Sequence, residues 1–368
     1  MHNEWYIIDD IDGIDSPALV VYPDRISRNI KLAIDIAGDI TKLRPHVKTN
    51  KIAEVCSMMM DAGITKFKCA TIAETEMLVE AGATDILLAY QPVGPKTERF
   101  AELAKAYPGT RFSCLVDDSL NAKSISETCV MNGCTIDVFI DLNVGMNRTG
   151  TDPETAVVLA GEIAKLENIR LAGIHAYDGH IHDTDLSARQ KAADASFAIA
   201  EKVYNQIKNF FTYPLVMVMG GTPTFPVHAH RSNCEVSPGT FVFWDWGYMH
   251  MLPDLPFEYA ALVVSRVISV TDRNHVCVDL GHKSVAAENP LPRVHFINAP
   301  EASPAAQSEE HLVLEVPDSG KYPLGTVLYG VPVHICPTVA LYEKAYVIGS
   351  NKLLNYWNIK ARNRYINY

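Results

Sequence analysis

Two periods of apolar residues alternate along this chain. Short apolar runs, many of them β-branched, recur at 18–22, 43–48, 66–70, 85–90, 111–116, 137–142, 169–174 and 214–219. Between them lie stretches with a helical period, such as RISRNIKLAIDIAG, IAETEMLVEAGA and DLSARQKAADASFAIAEKVYNQIKNF. Runs that are apolar throughout predict strands covered on both faces, and the periodic stretches predict amphipathic helices. Several of the latter end on glycine, at 38, 63, 82 and 133, a common helix stop. Eight strand–helix units predict a closed (β/α)8 TIM barrel. A doubly wound open sheet is the competing architecture, but no Gly-x-Gly-x-x-Gly turn follows any of these strands.

Past about residue 250 the helical period fades. Runs at 261–270, 276–280 and 311–316 are separated by turn residues, which predicts a second, all-β domain. The expected division is a barrel over 16–250 and a β domain over 251–368, joined by residues 1–15.

Composition fits this picture. The 368 residues are 48% hydrophobic and 20% charged, the balance of an ordinary globular chain of about two domains. A net charge of −11 without a dense Lys/Arg run would repel phosphates, which excludes a nucleic-acid partner. No apolar run is long enough to span a membrane, and the acidic start does not read as a signal peptide, so a cytoplasmic location is expected. The eight cysteines form no CxxC pair and sit mostly in apolar runs, as buried thiols would.

In such a barrel the chemistry gathers at the C-terminal ends of the strands. Lys48 ends the second run, two residues after His46 and so on the same side of an extended segment. An amine at a barrel mouth can form a Schiff base with a carbonyl, although spacing alone does not separate it from a surface lysine. Gly220-Gly-Thr222 and Ser237-Pro-Gly-Thr240 are turns able to offer N–H groups and hydroxyls to a phosphate. His334 and Cys336 stand two apart in an apolar run read as extended, so both face one way, as two metal ligands must. Imidazole plus thiolate favours zinc, and a core histidine beside a buried cysteine is the structural alternative. Histidines 175, 180 and 182 follow the seventh run and offer a general base.

Taken together, 15–19, Arg44-Pro-His-Val-Lys-Thr49, Gly145-Met-Asn-Arg148, Gly220-Gly-Thr222, Ser237-Pro-Gly-Thr240 and His334-Ile-Cys336 resemble the D-threonine aldolase and D-serine dehydratase family. These are alanine racemase-like, metal-assisted pyridoxal-phosphate enzymes, and the resemblance covers essentially the whole chain. It implies that Lys48 carries pyridoxal 5'-phosphate and that Arg148 lies near the cofactor's phenolic oxygen. It sets Tyr177 beside the pyridine ring and gives Gly221, Thr222, Gly239 and Thr240 to the phosphate. His334 and Cys336 become the metal pair, with His180 or His182 as base. A homodimer with shared sites and a small D-amino acid substrate are also implied. Within the family, 176–179 and 279–283 look like the aldolase side, whereas cysteine at 336 looks like the dehydratase side. Thiolate there favours zinc over manganese or magnesium. Aldol cleavage, β-elimination and, without a metal, racemisation are the reactions in play.

Overall fold

The structure, a computed structural model, describes residues 4–367. Its contacts divide the chain into two units. One takes in 33–48, 53–239 and the residues from 363; the other takes in the residues before 33, 49–52 and 240–362. The strands, in chain order, are β1 Ala18–Val21, β2 Lys66–Cys69, β3 Asp85–Leu88, β4 Arg111–Val116, β5 Ile136–Asp141, β6 Ile169–Ala176, β7 Val216–Met219 and β8 Cys234–Val236. They continue as β9 Ala261–Val270, β10 His275–Val278, β11 Val294–Phe296, β12 Ser303–Gln307, β13 Leu312–Glu315, β14 Val327–Pro332, β15 Lys344–Gly349 and β16 Lys352–Asn358.

Strands β2 to β8 run parallel in sequence order. Single bridges join Leu43 to Val236 of β8 and His46 to Lys68 of β2, so residues 43–47 form the stave that closes the ring. Arg44 N–H donates to the Val236 carbonyl, Lys68 N–H to that of Pro45, and Val47 N–H to that of Lys68, each at 2.9 Å. This stave does not become a full strand, and Pro45 lacks the N–H that a ladder needs.

The barrel therefore has eight staves, but not the eight expected. Residues 18–22 were expected to open it; β1 instead pairs with β9 and β15 in the other unit. A run that is apolar throughout reports burial on both faces, and a central strand of a covered mixed sheet meets that condition equally well. The missing stave is β8, three residues with a charged Glu235 at their centre, which leaves no apolar run to read.

Helices follow the barrel strands, and side chains in the strand-to-helix loops fix their first turns. Thr71, Asp118, Asp152 and Asp185 each accept backbone N–H groups as N-caps. Interior positions alternate along each stave and stack in layers. The floor is ionic. Arg44, almost wholly buried, bonds Asp85 and Glu235, both at 2.6 Å; Glu235 also pairs with Lys66. Arg111 links Asp85 to Asp137, and Arg170 holds Asp137 from the next strand. Above it lies an apolar layer of Leu87, Leu115, Phe139, Ala172 and Val218.

The second unit holds a nine-stranded, mostly antiparallel sheet with the path β12-β13-β10-β9-β1-β15-β16, while β14 pairs β9 and β11. Residues 5–8 are not a strand, but Tyr6 and Ile8 are buried against Val20, Leu262, Val264 and Tyr329 in its core. None of the eight cysteines is in a disulfide, and seven are buried. Among the described residues no helix is long and apolar enough to cross a membrane.

Candidate active site

A cavity of about 490 Å³ opens at the C-terminal ends of the barrel strands. That is a usual size for a small-molecule site. The alternation that puts Arg44, Lys66, Asp85 and Asp137 on the floor carries every second later position of those staves upward, and in β6 an irregularity in register after Leu171 moves the inward face from the parity of Arg170 to that of His175. His46 and Lys48 line the cavity from the closing stave, Lys68 and Ala70 from β2, Ala89 after β3, Asp117 after β4, Asp141 from β5, and His175 and Tyr177 from β6.

Lys48 lies in the turn 47–50 that ends the stave, exposed at the rim. Its backbone N–H points to His46 Nδ1 at 3.4 Å. Arg148 sits in the loop after β5, with its guanidinium carbon 5.3 Å from the Tyr177 ring centre. Asn143 shapes that loop by accepting N–H bonds from Gly145 and Asn147, and Asp117 holds its far end through Gly150 N–H.

Tyr177 is fitted closely. A side chain at Gly179 would meet its ring at 2.2 Å, and one at Gly221 would meet it at 3.1 Å. Both positions thus need glycine for the ring to stand where it does. Behind it, Asp178 accepts from Thr224 Oγ1 at 2.9 Å and His228 Nε2 at 2.8 Å, all three buried.

Asp141 and His175 form a buried pair, Oδ1 to Nδ1 at 2.7 Å. Burial would raise the Asp141 carboxyl, but the His175 hydrogen bond and the charge nearby more than offset it and hold it below the ordinary carboxylate range. Burial lowers His175, and Asp141 only partly restores it. A carboxylate beside a neutral imidazole fixes the proton on Nδ1 and leaves Nε2 as an acceptor. His180 and His182, read from the sequence as base candidates, are exposed and do not line the cavity. A side chain at Gly145 would meet His180 Nε2 at 2.7 Å, so His180 packs on the loop that carries Arg148.

Two turns face the strand ends from β7 and β8. Gly239 N–H donates to Thr222 Oγ1 at 3.2 Å, and Ser237 N–H to the Gly220 carbonyl at 3.0 Å. The Ser237 hydroxyl is buried without a hydrogen-bond partner in this structure. An orphan hydroxyl between two glycine turns suits an anionic group, so these residues fit a phosphate such as that of the cofactor the resemblance implies. Thr240 belongs to the other unit, where its Oγ1 is 3.5 Å from Cys336 Sγ.

His334 and Cys336 are not in an extended run. His334 caps the short helix Ile335–Val339, and Cys336 is its second residue. The buried Asp245 carboxylate holds this turn by accepting Ile335 N–H at 3.1 Å. The imidazole and thiol still meet, through a side-chain hydrogen bond. His334 Nδ1 lies 2.5 Å from Glu288 Oε1, and Thr49 Oγ1 is 3.1 Å from Cys336 Sγ. Burial lowers His334, yet Cys336, Glu288 and Asp245 more than offset it and push it up to about 9. Among the described residues no set of three or more His, Cys, Asp or Glu side chains could hold a metal. The pair itself fits a divalent ion: imidazole and thiolate within reach, with a carboxylate orienting the imidazole.

Residues 21–245 match the model of the alanine racemase N-terminal domain, and 260–348 match a putative serine dehydratase domain. The chain belongs to the alanine racemase N-terminal domain family. Within that family it is 28% identical to the D-threonine aldolase of an Arthrobacter species, across 96% of this chain and 94% of the relative. It is 26% identical, over the same shares, to a 3-hydroxy-D-aspartate aldolase of Paracoccus denitrificans. The D-threonine aldolase structure from Filomicrobium marinum superposes with a TM-score of 0.87 at 28% identity, covering 95% of each chain. The resemblance and alanine racemase-like fold expected from the motifs are thus confirmed. His175 was among the histidines offered as a base, whereas Lys68 and Asp141 were not singled out as site residues. The signal for both was the step of two along a strand from an inward-facing position, from Lys66 to Lys68 and from Asp137 by way of Phe139 to Asp141.

Proposed function

We propose that this chain is a lyase acting on D-3-hydroxy amino acids with pyridoxal 5'-phosphate and a divalent metal, cleaving them to glycine and an aldehyde. The observation that carries this is a strand-end cavity joining Lys48, Arg148 and Tyr177 in a chain similar over its whole length to aldolases. The cofactor, when bound, would supply an electron sink for charge developing at the substrate's Cα.

The remaining work falls to side chains. Lys48 is the nucleophile that would capture the cofactor's carbonyl. Gly221, Thr222, Ser237 and Gly239 would hold its phosphate, and the fitted Tyr177 ring would fix the plane of its pyridine. Arg148, whose guanidinium stands over the Tyr177 ring, would bring positive charge to the cofactor's side. His180 is the proposed proton acceptor for the substrate's hydroxyl, being the one of the two candidate histidines that packs on the Arg148 loop. His180→Gln is expected to lower kcat by about 10²–10⁴-fold, the usual loss of a general base. The cofactor's absorbance should be unchanged; full activity in that variant removes His180 from the reaction.

His334 and Cys336 would hold the metal, zinc for preference, whose role is to stabilise negative charge on the β-oxygen. The thiolate at 336 and the serine dehydratase domain match favour a second reading, elimination to a 2-oxo acid and ammonia. Assays of D-threonine and D-serine products, with and without chelator, decide between them. Chelation and Cys336→Ala should each abolish turnover and leave the bound-cofactor spectrum in place, since one remaining protein ligand holds an ion poorly. Full lyase activity after both would remove the metal from the reaction, and loss of optical activity from D-threonine or D-serine with neither set of products would leave a metal-free racemase as the better reading. A homodimer completes the proposal, and sedimentation of a fully active monomer would remove it.

A further inference from the structure

We propose that Lys68 is a second functional amine of this cavity, a positioning residue whose Nζ donates to an anionic oxygen of the bound ligand. The proposal rests on the cofactor reading above.

Lys68 stands on β2 at the register of His46, one layer below Lys48, and its side chain lines the same cavity. It is only 3% exposed. Among the described residues its Nζ has no hydrogen bond or ion pair; its contact is the Tyr177 ring, whose centre lies 5.6 Å away. Every other strongly buried cation of the barrel interior is differently placed: Arg44, one layer down, holds two carboxylates. A buried amine without a counter-ion, aimed into a cavity, is an expensive arrangement unless something in the cavity completes it. Lys68 and Arg148 both stand over the Tyr177 ring, 5.6 and 5.3 Å from its centre, so both cations neighbour the ring proposed to set the cofactor's plane.

The charged groups around Lys68 act in both directions. Burial, Lys48 and Arg44 lower it; Asp141 and Asp178 raise it, and it comes down to about 7. His46 and Arg148 also line the cavity, and His175 stands beside Asp141. An anion docking on Lys68 favours its protonated form. Affinity should then be greatest below about pH 7 and decline as the free amine loses its proton.

Pyridoxine 5'-phosphate is the probe, because it has the phenol and phosphate but no aldehyde to react with Lys48. It is titrated against the full chain, stripped of cofactor with hydroxylamine, at pH 6.5 and 9. Lys68→Met is expected to weaken binding about tenfold or more at pH 6.5 and to converge with the wild type at pH 9. Lys68→Arg, charged at both values, should bind tightly at both. Taking each variant's ratio to wild type cancels the titration of the other groups. A second arm repeats the comparison on the cofactor-loaded enzyme with 3-hydroxybutyrate, which carries a carboxylate but no amine. A Lys68 effect in the first arm assigns the oxygen to the cofactor, and one in the second alone assigns it to the substrate. Near-ultraviolet circular dichroism establishes that each variant is folded. Folded Lys68→Met that matches the wild type at both pH values in both arms overturns the proposal and leaves the cofactor reading intact. Failure of the wild type to bind the probe at any pH overturns both.

Discussion

Lys48→Ala will fold and lose the ability to fix pyridoxal phosphate. Loaded wild-type protein should be yellow, and borohydride should attach the cofactor to one peptide, the one containing Lys48. The variant should show neither label nor colour after dialysis, and its lyase activity should fall by about 10³-fold or more, the scale of losing a nucleophile. Folding should survive because Lys48 is exposed in a turn, beyond the hydrogen bonds that tie residues 43–47 to β2 and β8. Lys68 makes this experiment discriminating. The two amines line one cavity, so the labelled peptide reports which of them is the nucleophile. Label on Lys68 in the wild type would reverse their roles. A variant that keeps label at some third lysine would remove the cavity from the account.

How far the sequence went can be judged from the staves. Runs buried on both faces announced themselves, and seven of the eight barrel staves were read from them, along with β9, β10 and β13. The mistake over β1 and β8 has one cause. Local hydrophobicity reports how deeply a segment is covered but not which sheet covers it, and pairing is decided by residues hundreds of positions away. Residues 18–21 find their partners at 261–264 and 345–347. Glu235 hides β8 from any apolar count because its charge is balanced by Arg44, 191 residues distant.

The site was legible where a motif stood at a strand end, as with Lys48, Arg148 and Tyr177. It was not legible where a residue inside a strand turned toward the cavity. Lys68 sits in Lys66-Phe-Lys-Cys69, where two lysines on one side of a strand resemble a solvated face. In the structure they point inward, Lys66 to the ionic floor and Lys68 to the cavity above it. The spacing of His334 and Cys336 suggested an extended pair, but a helix cap brings them together instead. Two residues apart is compatible with both, since either backbone can bring those side chains within reach of each other.

Arg44→Met should cost about 3–5 kcal/mol, the expected penalty for removing one partner of a buried ionic group. Arg44 Nη1 reaches Asp85 and Nε reaches Glu235, both at 2.6 Å, and its side chain is 1% exposed. The arginine carries a burial penalty of its own, which the two carboxylates more than offset. Without it, two carboxylates stay buried with only Arg111 and Lys66 to answer them. Thermal unfolding of the barrel should drop by on the order of 10 °C. The loss should depend on pH in a fixed direction. Burial pushes Asp85 up, but Arg44 pulls it below its ordinary value, so its contribution is present above that value and fades as pH falls through the lowered one. In the variant the same carboxyl is unpaired and is relieved by protonation. The gap between wild type and Arg44→Met should therefore narrow as pH falls from 8 toward 4.5. Arg44→Met combined with Glu235→Met should recover much of the loss, because the buried charge is removed together with its partner. A gap that is flat with pH, or a double variant as weak as the single one, would show that Arg44 acts by packing alone. The functional consequence lies four residues along. Arg44 anchors the stave that presents Lys48, so Arg44→Met should also loosen cofactor binding at temperatures where the barrel is still folded.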